Sequence, residues 1–210
     1  MITTPISLQD LLSEPFAIKG QFQLSDGSPP SGKISGDVSL DAEAGPDMGV
    51  GAMPDGAFQI NNMSPGRYRI RPNFLSLGNY YVSSVLLGDI DVGSQYVQLS
   101  PSSPTIRLIL KPGSTIRGTV EKGEGATVML WPENANTGDR GLSMACGPGG
   151  TFEFSGLAPG EYNVIAVDRL SVPESLTAAR LQAMESRATR LHVEEGSTAS
   201  VQIELTGGVY

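Results

Sequence analysis

Hydrophobic and polar residues alternate in two runs within residues 150–164 of this chain. Phe152 and Phe154 are separated by polar residues, and the alternation resumes at Tyr162 after the turn-forming pair Pro159-Gly160. Such alternation is typical of strands that bury one face, and Pro-Gly sequences favour tight turns. The stretch therefore predicts a β-hairpin with one face turned towards a core.

The same pattern occurs 94 positions earlier, in residues 56–70. The equivalent residues correspond without a gap and are Phe58 and Phe152, Pro65 and Pro159, and Tyr68 and Tyr162. A repeat of this length is too long for a solenoid unit and indicates a domain that is duplicated in tandem. We expect a first repeat over residues 16–111 and a second over residues 112–210, each able to fold by itself.

Other alternating stretches supply the remaining strands of each repeat. The last strand of each is predicted from apolar residues on alternate positions, which are Ile106, Leu108 and Leu110 in the first repeat and Val201, Ile203 and Leu205 in the second. Residues 173–187 differ, because Leu and Ala residues there recur at helical spacing behind a capping-box sequence, Ser171 to Glu174. The pattern as a whole predicts an all-β chain with one short helix, which packs on a sheet or on the other repeat.

The first residues resemble the junction between the two repeats. Residues 12–22 align without a gap with residues 110–120, so that Leu12 corresponds to Leu110, which closes a repeat. We therefore interpret residues 1–15 as the remnant last strand of a preceding repeat or as a disordered segment, within a chain that is a piece of a longer protein.

Composition narrows the possible partners. The chain has 210 residues, a net charge of −8 and no cluster of Lys or Arg, which argues against nucleic acid or an anionic membrane as a partner. No apolar run approaches the roughly 20 residues that span a bilayer, so no membrane insertion is expected. The N-terminal residues lack the pattern of a signal peptide, and Cys146 is the single cysteine, which excludes an intrachain disulfide.

The pattern G-x-F-x-F-x-G-L-A-P-G-x-Y-x-V at residues 150–164 resembles the carboxypeptidase regulatory-like domain. The likeness extends to residues 79–91, to residues 128–133 and to the predicted helix, which are similar to tandem repeats of large secreted or envelope proteins of bacteria. The resemblance implies two tandem seven-stranded Greek-key β-sandwiches of the transthyretin-like (prealbumin-like) or starch-binding-like kind. It also implies accessory modules without catalytic activity.

Candidate catalytic and metal-binding residues are few. His192, the only histidine, lies on the polar side of an alternating strand, without the spacing of a triad or of zinc ligands, and is expected at the surface. Cys146 has no basic neighbours that would activate its thiol, so we expect a small, half-buried strand residue. A calcium loop within residues 41–55 is disfavoured because its oxygen-bearing residues are irregularly spaced. We expect neither a catalytic centre nor a metal or other cofactor.

Carbohydrate is the one small ligand that the aromatic residues suggest. Trp131, with Asn134 nearby, and the pair Tyr80 and Tyr81 could stack on sugar rings and hydrogen-bond hydroxyl groups. Packing in a core is the favoured alternative for Trp131. Tyr68 and Tyr162 are predicted to tie their turns to the backbone through the phenol hydroxyl, as corner tyrosines do.

The sequence thus favours a non-catalytic structural or interaction module of an extracytoplasmic bacterial protein, located in the periplasm, in the cell envelope or outside the cell. Its expected partners are other domains of a longer parent chain and possibly glycan. The alternative hypothesis is a carbohydrate-binding module that uses exposed aromatic residues such as Trp131.

Overall fold

The computed structural model describes residues 14–31, 35–51, 53–76, 79–133, 141–168 and 178–206. Within it the chain forms two compact units, one ending at Lys111 and the other beginning at Pro112. Strands dominate both units, and the one α-helix among the described residues lies in the second. The all-β prediction is therefore confirmed.

The first unit consists of nine described strands, two more than the seven that the family resemblance implies. They are β1 (Phe16–Leu24), β2 (Ser35–Ala42), β3 (Met48–Gly51), β4 (Ala57–Met63), β5 (Gly66–Ser76), β6 (Tyr80–Leu87), β7 (Ile90–Asp91), β8 (Tyr96–Leu99) and β9 (Ile106–Pro112). Five strands form one sheet in the order β4-β1-β9-β6-β7, and four form the other in the order β3-β2-β5-β8.

The second unit has seven described strands and the helix. They are β10 (Ser114–Glu121), β11 (Thr127–Pro132), β12 (Leu142–Ala145), β13 (Thr151–Leu157), β14 (Gly160–Val167), α1 (Ala178–Met184), β15 (Thr189–Val193) and β16 (Thr198–Thr206). The strand order is β12-β11-β14-β16-β10-β13, and β15 also pairs with β14. This unit therefore repeats the arrangement of the first, with α1 in the place of β6 and β7 along the chain.

The predicted hairpin is wrong in both units, because its two strands do not pair with each other. β4 pairs with β1, whereas β5 pairs with β2 and β8. Likewise β13 pairs with β10, and β14 pairs with β11 and β15. The turn thus carries the chain across the core. Alternation specifies which side chains point inwards but is the same for a hairpin and for such a crossing, so the pattern alone could not separate them.

The crossing turns are tied down by the corner tyrosines. The Tyr68 hydroxyl donates a hydrogen bond of 2.8 Å to the carbonyl oxygen of Ser64, and the Tyr162 hydroxyl donates one of 2.8 Å to that of Ala158. Both tyrosines are buried in the core of their own unit. The predicted structural role of this pair is confirmed.

A glycine on the first strand of each unit makes room for an aromatic ring on the neighbouring strand. Gly20 is the register partner of Phe58, and Gly118 is the register partner of Phe152. A β-carbon at either glycine would collide with that ring, and at Gly118 also with the carbonyl oxygen of Val201. The ring fits only opposite the glycine, and this fixes the register in which the two strands pair.

The helix prediction is confirmed for the described residues. α1 continues into a single 3₁₀ turn, Glu185–Arg187, which ends where residues 173–187 were predicted to end. Leu181 and Met184 are buried against the second unit's own sheet, on the side away from its sandwich core. The predicted cap, Ser171 to Glu174, and most of the predicted N-terminal segment of residues 1–15 lie outside the described residues.

Candidate functional site

Trp131 is buried, with only 3% of its surface exposed. It packs in a second apolar cluster together with Met129, Ile165 and Leu181, beneath α1. A sugar-stacking ring must present a face to solvent, and this ring does not. In this structure Trp131 packs within an apolar cluster, which is the favoured alternative, and it does not present an exposed ring to a sugar.

The other candidate sugar-binding residues belong to the first unit or lie outside the described residues. Tyr80 and Tyr81 are half-buried neighbours on β6 of the first unit, whereas Trp131 belongs to the second unit. The Tyr80 hydroxyl lies 2.9 Å from the Ser31 hydroxyl oxygen, and its ring packs against the first core. Asn134 lies outside the described residues.

His192 is on the surface, as predicted. Its Nδ1 lies 2.7 Å from a carboxylate oxygen of Glu161, the residue opposite it on β14. More than half of the His192 side chain is exposed, so the pair is a solvated cross-strand interaction.

Cys146 follows β12 and is buried. Its backbone N–H donates a hydrogen bond of 2.7 Å to the Ala126 carbonyl oxygen. Burial raises the pKa of the Cys146 thiol, because the thiolate is poorly solvated there. Since the thiolate is the nucleophilic form, the structure supports a packing role for this cysteine.

Titratable side chains also fail to form a metal site in the part of the chain that is described. No three His, Cys, Asp or Glu side chains converge there as metal ligands. Asp41, the first residue of the weighed calcium loop, lies 2.9 Å from Arg71 and 3.8 Å from Arg69 in two salt bridges. No described helix is long and apolar enough to cross a membrane.

A row of charged residues covers the outer face of the β2-β5-β8 sheet. Arg69 stacks on the ring of Tyr96, with its guanidinium carbon 5.0 Å from the ring centroid, and Arg67 lies 5.9 Å from it. Arg67 also donates hydrogen bonds of 2.8 and 3.0 Å to both carboxylate oxygens of Glu43. This row of ion pairs was not predicted from the sequence, although arginines at 67, 69 and 71 alternate on the polar side of β5. Glu43 and Asp41 offset the charges of these arginines, as is typical of a solvated face.

A broad groove lies on the β13-β10-β16 side of the second unit and was not predicted. Its volume is about 810 Å³, and both apolar and polar residues line it. The apolar residues include Met144 of β12, Phe152 and Val201, and the polar ones are Arg117, Thr119, Thr151, Glu153, Ser200 and Gln202. Outward-facing polar residues on strands carry no sequence signal that separates a groove from any solvated sheet face. Among the described residues, no cluster of His, Cys, Asp or Glu side chains accompanies this lining.

Among the described residues, two side chains have buried polar atoms without a hydrogen-bond partner: Arg69, at its Nε, and Asn163. Asn163 is fully buried opposite Trp131, and neither its amide nitrogen nor its amide oxygen has a partner in the described part of the chain. An unsatisfied buried amide is costly, so the apolar layer beneath α1 carries a local weakness.

Comparison with known proteins yields distant structural similarity only. No protein-family model matches the chain, and no curated protein matches it. The chain is similar to a minor pilin of Streptococcus agalactiae, with 13% identity, a TM-score of 0.39 and coverage of 93% of this chain and 97% of the pilin. It is also similar to a streptococcal ancillary pilin, with 14% identity, a TM-score of 0.37 and coverage of 92% of this chain and 63% of that one.

The third comparison is with the TIE protein of Bacillus anthracis, at 9% identity and a TM-score of 0.32. The alignment covers 91% of this chain but only 34% of the Bacillus chain. The chain therefore spans about a third of the TIE structure and 63% of the ancillary pilin. At such TM-scores these proteins do not indicate what this chain binds.

Proposed function

We propose that the chain is a pair of non-catalytic β-sandwich modules of the carboxypeptidase regulatory-like, transthyretin-like kind. In this proposal the modules belong to an extracytoplasmic bacterial protein and act there as spacer and interaction surface, with other domains of a longer parent chain as partners. The observation that carries the proposal is the duplicated framework. Each unit has the same crossing turn, corner tyrosine and glycine–phenylalanine pair.

The surroundings of the chemically reactive side chains support this function. Burial raises the pKa of the only cysteine, and the only histidine forms a solvated pair with Glu161. The arginine ladder of the first unit is matched by Asp41 and Glu43. Each of these groups therefore has a structural explanation that requires no substrate.

The carbohydrate-binding alternative is tested on a glycan array with the full chain and its Trp131→Phe variant. We expect no glycan to bind either protein above background. Millimolar binding that Trp131→Phe alters would show that Trp131 becomes accessible, and would replace the spacer function with a sugar-binding one.

The division into two modules is tested by producing residues 16–111 and 112–210 separately. Each half has its own buried core, so each should unfold cooperatively close to its transition in the intact chain. If either half is unfolded by itself, the two units depend on one another and the two-module proposal fails. Fractionation of the bacterium that produces the protein tests the location, and recovery only in the cytoplasm would contradict it.

A further inference from the structure

The outer face of the β13-β10-β16 sheet carries two opposite charges that do not pair with each other. Arg117 on β10 is the register partner of Glu153 on β13, and both side chains are exposed. Opposite charges in directly opposed positions of two strands usually attract one another. Here the Arg117 Nε lies 3.4 Å from the hydroxyl oxygen of Ser200 on β16. The guanidinium therefore leans towards β16, and within the described residues neither charge has an ion-pair partner.

The equivalent residues of the first unit form hydrogen bonds within that unit. The register places Gln59 at the position of Glu153 and Arg107 at the position of Gln202. The amide nitrogen of Gln59 donates a hydrogen bond of 2.6 Å to Asn61, and Arg107 donates hydrogen bonds to the turn between β6 and β7. In the second unit, by contrast, neither Glu153 nor Gln202 has a side-chain hydrogen bond to any described residue. The same face is thus internally bonded in one copy of the framework and available to a ligand in the other.

These available side chains line the groove of about 810 Å³. Its volume is within the range of ligand-binding sites in proteins, and all of the residues that line it belong to the described part of the chain. Arg117 and Glu153 give it one charge of each sign, and the half-buried side chains of Met144 and Val201 add apolar surface. Such a lining favours a ligand that carries both charges together with apolar groups.

The spacing of the two charges favours an extended polypeptide segment as the occupant. The β-carbons of directly opposed residues such as Arg117 and Glu153 are about 5 Å apart, and the Arg117 side chain leans away from Glu153. In an extended segment, side chains two positions apart point the same way at a separation of about 6.8 Å. One acidic and one basic side chain at that spacing can therefore reach both charges. A second copy of this chain fits poorly, because two concave grooves do not interlock and each copy has a net charge of −8.

We propose that this groove binds an extended segment of another polypeptide in which an acidic and a basic residue are two positions apart. The acidic side chain binds Arg117 and the basic side chain binds Glu153. Apolar side chains on the same side of the segment contact Met144 and Val201. The inference rests on the proposed function, since it identifies the interaction surface of the second module and the chemistry of its partner.

The test uses the full chain and a fluorescent seven-residue peptide with blocked ends. The peptide has valine at both ends, aspartate at the third position, lysine at the fifth and serine at the remaining positions. Fluorescence anisotropy measures binding, and shifts of the backbone amide signals in nuclear magnetic resonance spectra locate it. We expect saturable binding, with shifts concentrated at residues 117–119, 151–153 and 200–202. A peptide of the same composition with aspartate and lysine adjacent should bind about fivefold more weakly or less, because neighbouring side chains of an extended segment point in opposite directions.

Charge reversal at Arg117 gives the groove two acidic sides. Arg117→Glu should weaken binding of the first peptide by about tenfold and improve binding of a peptide with lysine at both charged positions. Lys19→Glu is the matched control, since Lys19 is the exposed residue at the equivalent position of the first unit and the charge change is identical. It should change binding of either peptide by less than about twofold.

Charge reversal at Glu153 should have the opposite selectivity. Glu153→Lys should weaken the first peptide to a similar degree and improve binding of a peptide with aspartate at both charged positions. Glu124→Lys is its control, because Glu124 is an exposed residue of the same unit that does not line the groove. It should leave both affinities within about twofold.

Several results would overturn the proposal. They are absence of saturable binding, equal binding of the peptide with adjacent charges, equal losses in a variant and its control, and amide shifts outside the groove. Self-association of the chain through the groove would also overturn it, because a second copy would then be the occupant. Each of these results would reject the groove as the interaction surface, whereas the two-module proposal fails only if the separated halves do not fold.

Discussion

β2 and β5 of the first unit correspond to β11 and β14 of the second, but the outer face of the first pair is charged and that of the second is apolar. In the first unit, Asp41 on β2 is the register partner of Arg69 on β5, and the surface is an ion-pair ladder. At the equivalent place in the second unit, Trp131 on β11 is opposite Asn163 on β14, beneath α1. The inner faces are alike, with Leu40 opposite Ile70 and Leu130 opposite Val164.

The difference shows that a few outer positions decide whether this sheet meets water or a third layer. β11 is buried on both faces from Thr127 to Trp131, whereas β2 alternates between core residues such as Val38 and polar residues such as Ser39. A strand that is apolar at every position needs cover on both sides, and α1 provides it. The inner residues of the two strand pairs are alike, so the same core is compatible with a charged outer face and with a covering helix.

The largest effect is expected from removing the ring that α1 covers. Trp131→Ala should lower the free energy of unfolding of the second unit by about 3–5 kcal/mol, because it leaves a cavity between the sheet and the helix. Asp41→Ala at the equivalent position should cost less than about 1 kcal/mol, since its ion pairs are partly solvated. Urea unfolding followed by far-ultraviolet circular dichroism measures both. Trp131→Phe, which keeps most of the ring volume, should fall between them; equal costs for both alanine variants would contradict the comparison.

The next effect is a gain in stability. Asn163→Leu replaces an unpartnered buried amide by an apolar group of similar size, and should stabilise the second unit by about 1–3 kcal/mol. Asn163→Asp should destabilise it, because a carboxylate would be buried without a partner. The midpoint of thermal unfolding reports both changes. If Asn163→Leu lowers that midpoint, the amide has a favourable interaction that the contacts of Asn163 do not show.

The corner tyrosines are a feature that the two units share, so removing the hydroxyl group should cost each unit a similar free energy of unfolding. Tyr68→Phe and Tyr162→Phe each remove one hydrogen bond to a turn carbonyl and should each cost about 0.5–1.5 kcal/mol. The measurement is chemical unfolding of each variant. Costs that differ by more than about 2 kcal/mol would show that the shared turn is supported differently in the two units.

Tyr68 also makes the first unit sensitive to alkali. Burial raises the pKa of the Tyr68 phenol above its usual value near 10. The folded state therefore holds this proton more tightly than the unfolded state, so its stabilising contribution is complete below about pH 10 and is lost as pH rises through the higher folded pKa. Tyr68→Phe should flatten the loss of stability of the first unit in this range. An unchanged profile would assign the alkaline sensitivity to other groups.

The smallest effect is expected at the rim of the charged face. Arg67 and Glu43 form a bidentate contact, yet about half of each side chain is exposed. Glu43→Gln should therefore change stability by less than about 0.5 kcal/mol, and added salt should remove even that difference. A salt-independent loss above about 1 kcal/mol would show that this ladder supports the first unit.

Alternation along the chain was sufficient to predict most strands, the duplicated turn and the inward direction of Phe58, Phe152 and both corner tyrosines. It did not predict β3, which lies within the stretch weighed as a calcium loop. Strand partners could not be predicted, because alternation is local and the crossing turn depends on which sheet each strand joins. Trp131 was hard to place for a related reason: its burial depends on α1, almost 50 residues further along the chain.

The first and last strands of each unit lie side by side in parallel, Gly20 beside Ile106 and Gly118 beside Val201. Neither sandwich can therefore close until its last strand has left the ribosome. Until then β1 and β10 present an unpaired edge, and their buried residues have only local neighbours. Pairing over so long a stretch of chain also slows folding. During synthesis, each unit should acquire resistance to protease only after its final strand emerges, in one late step.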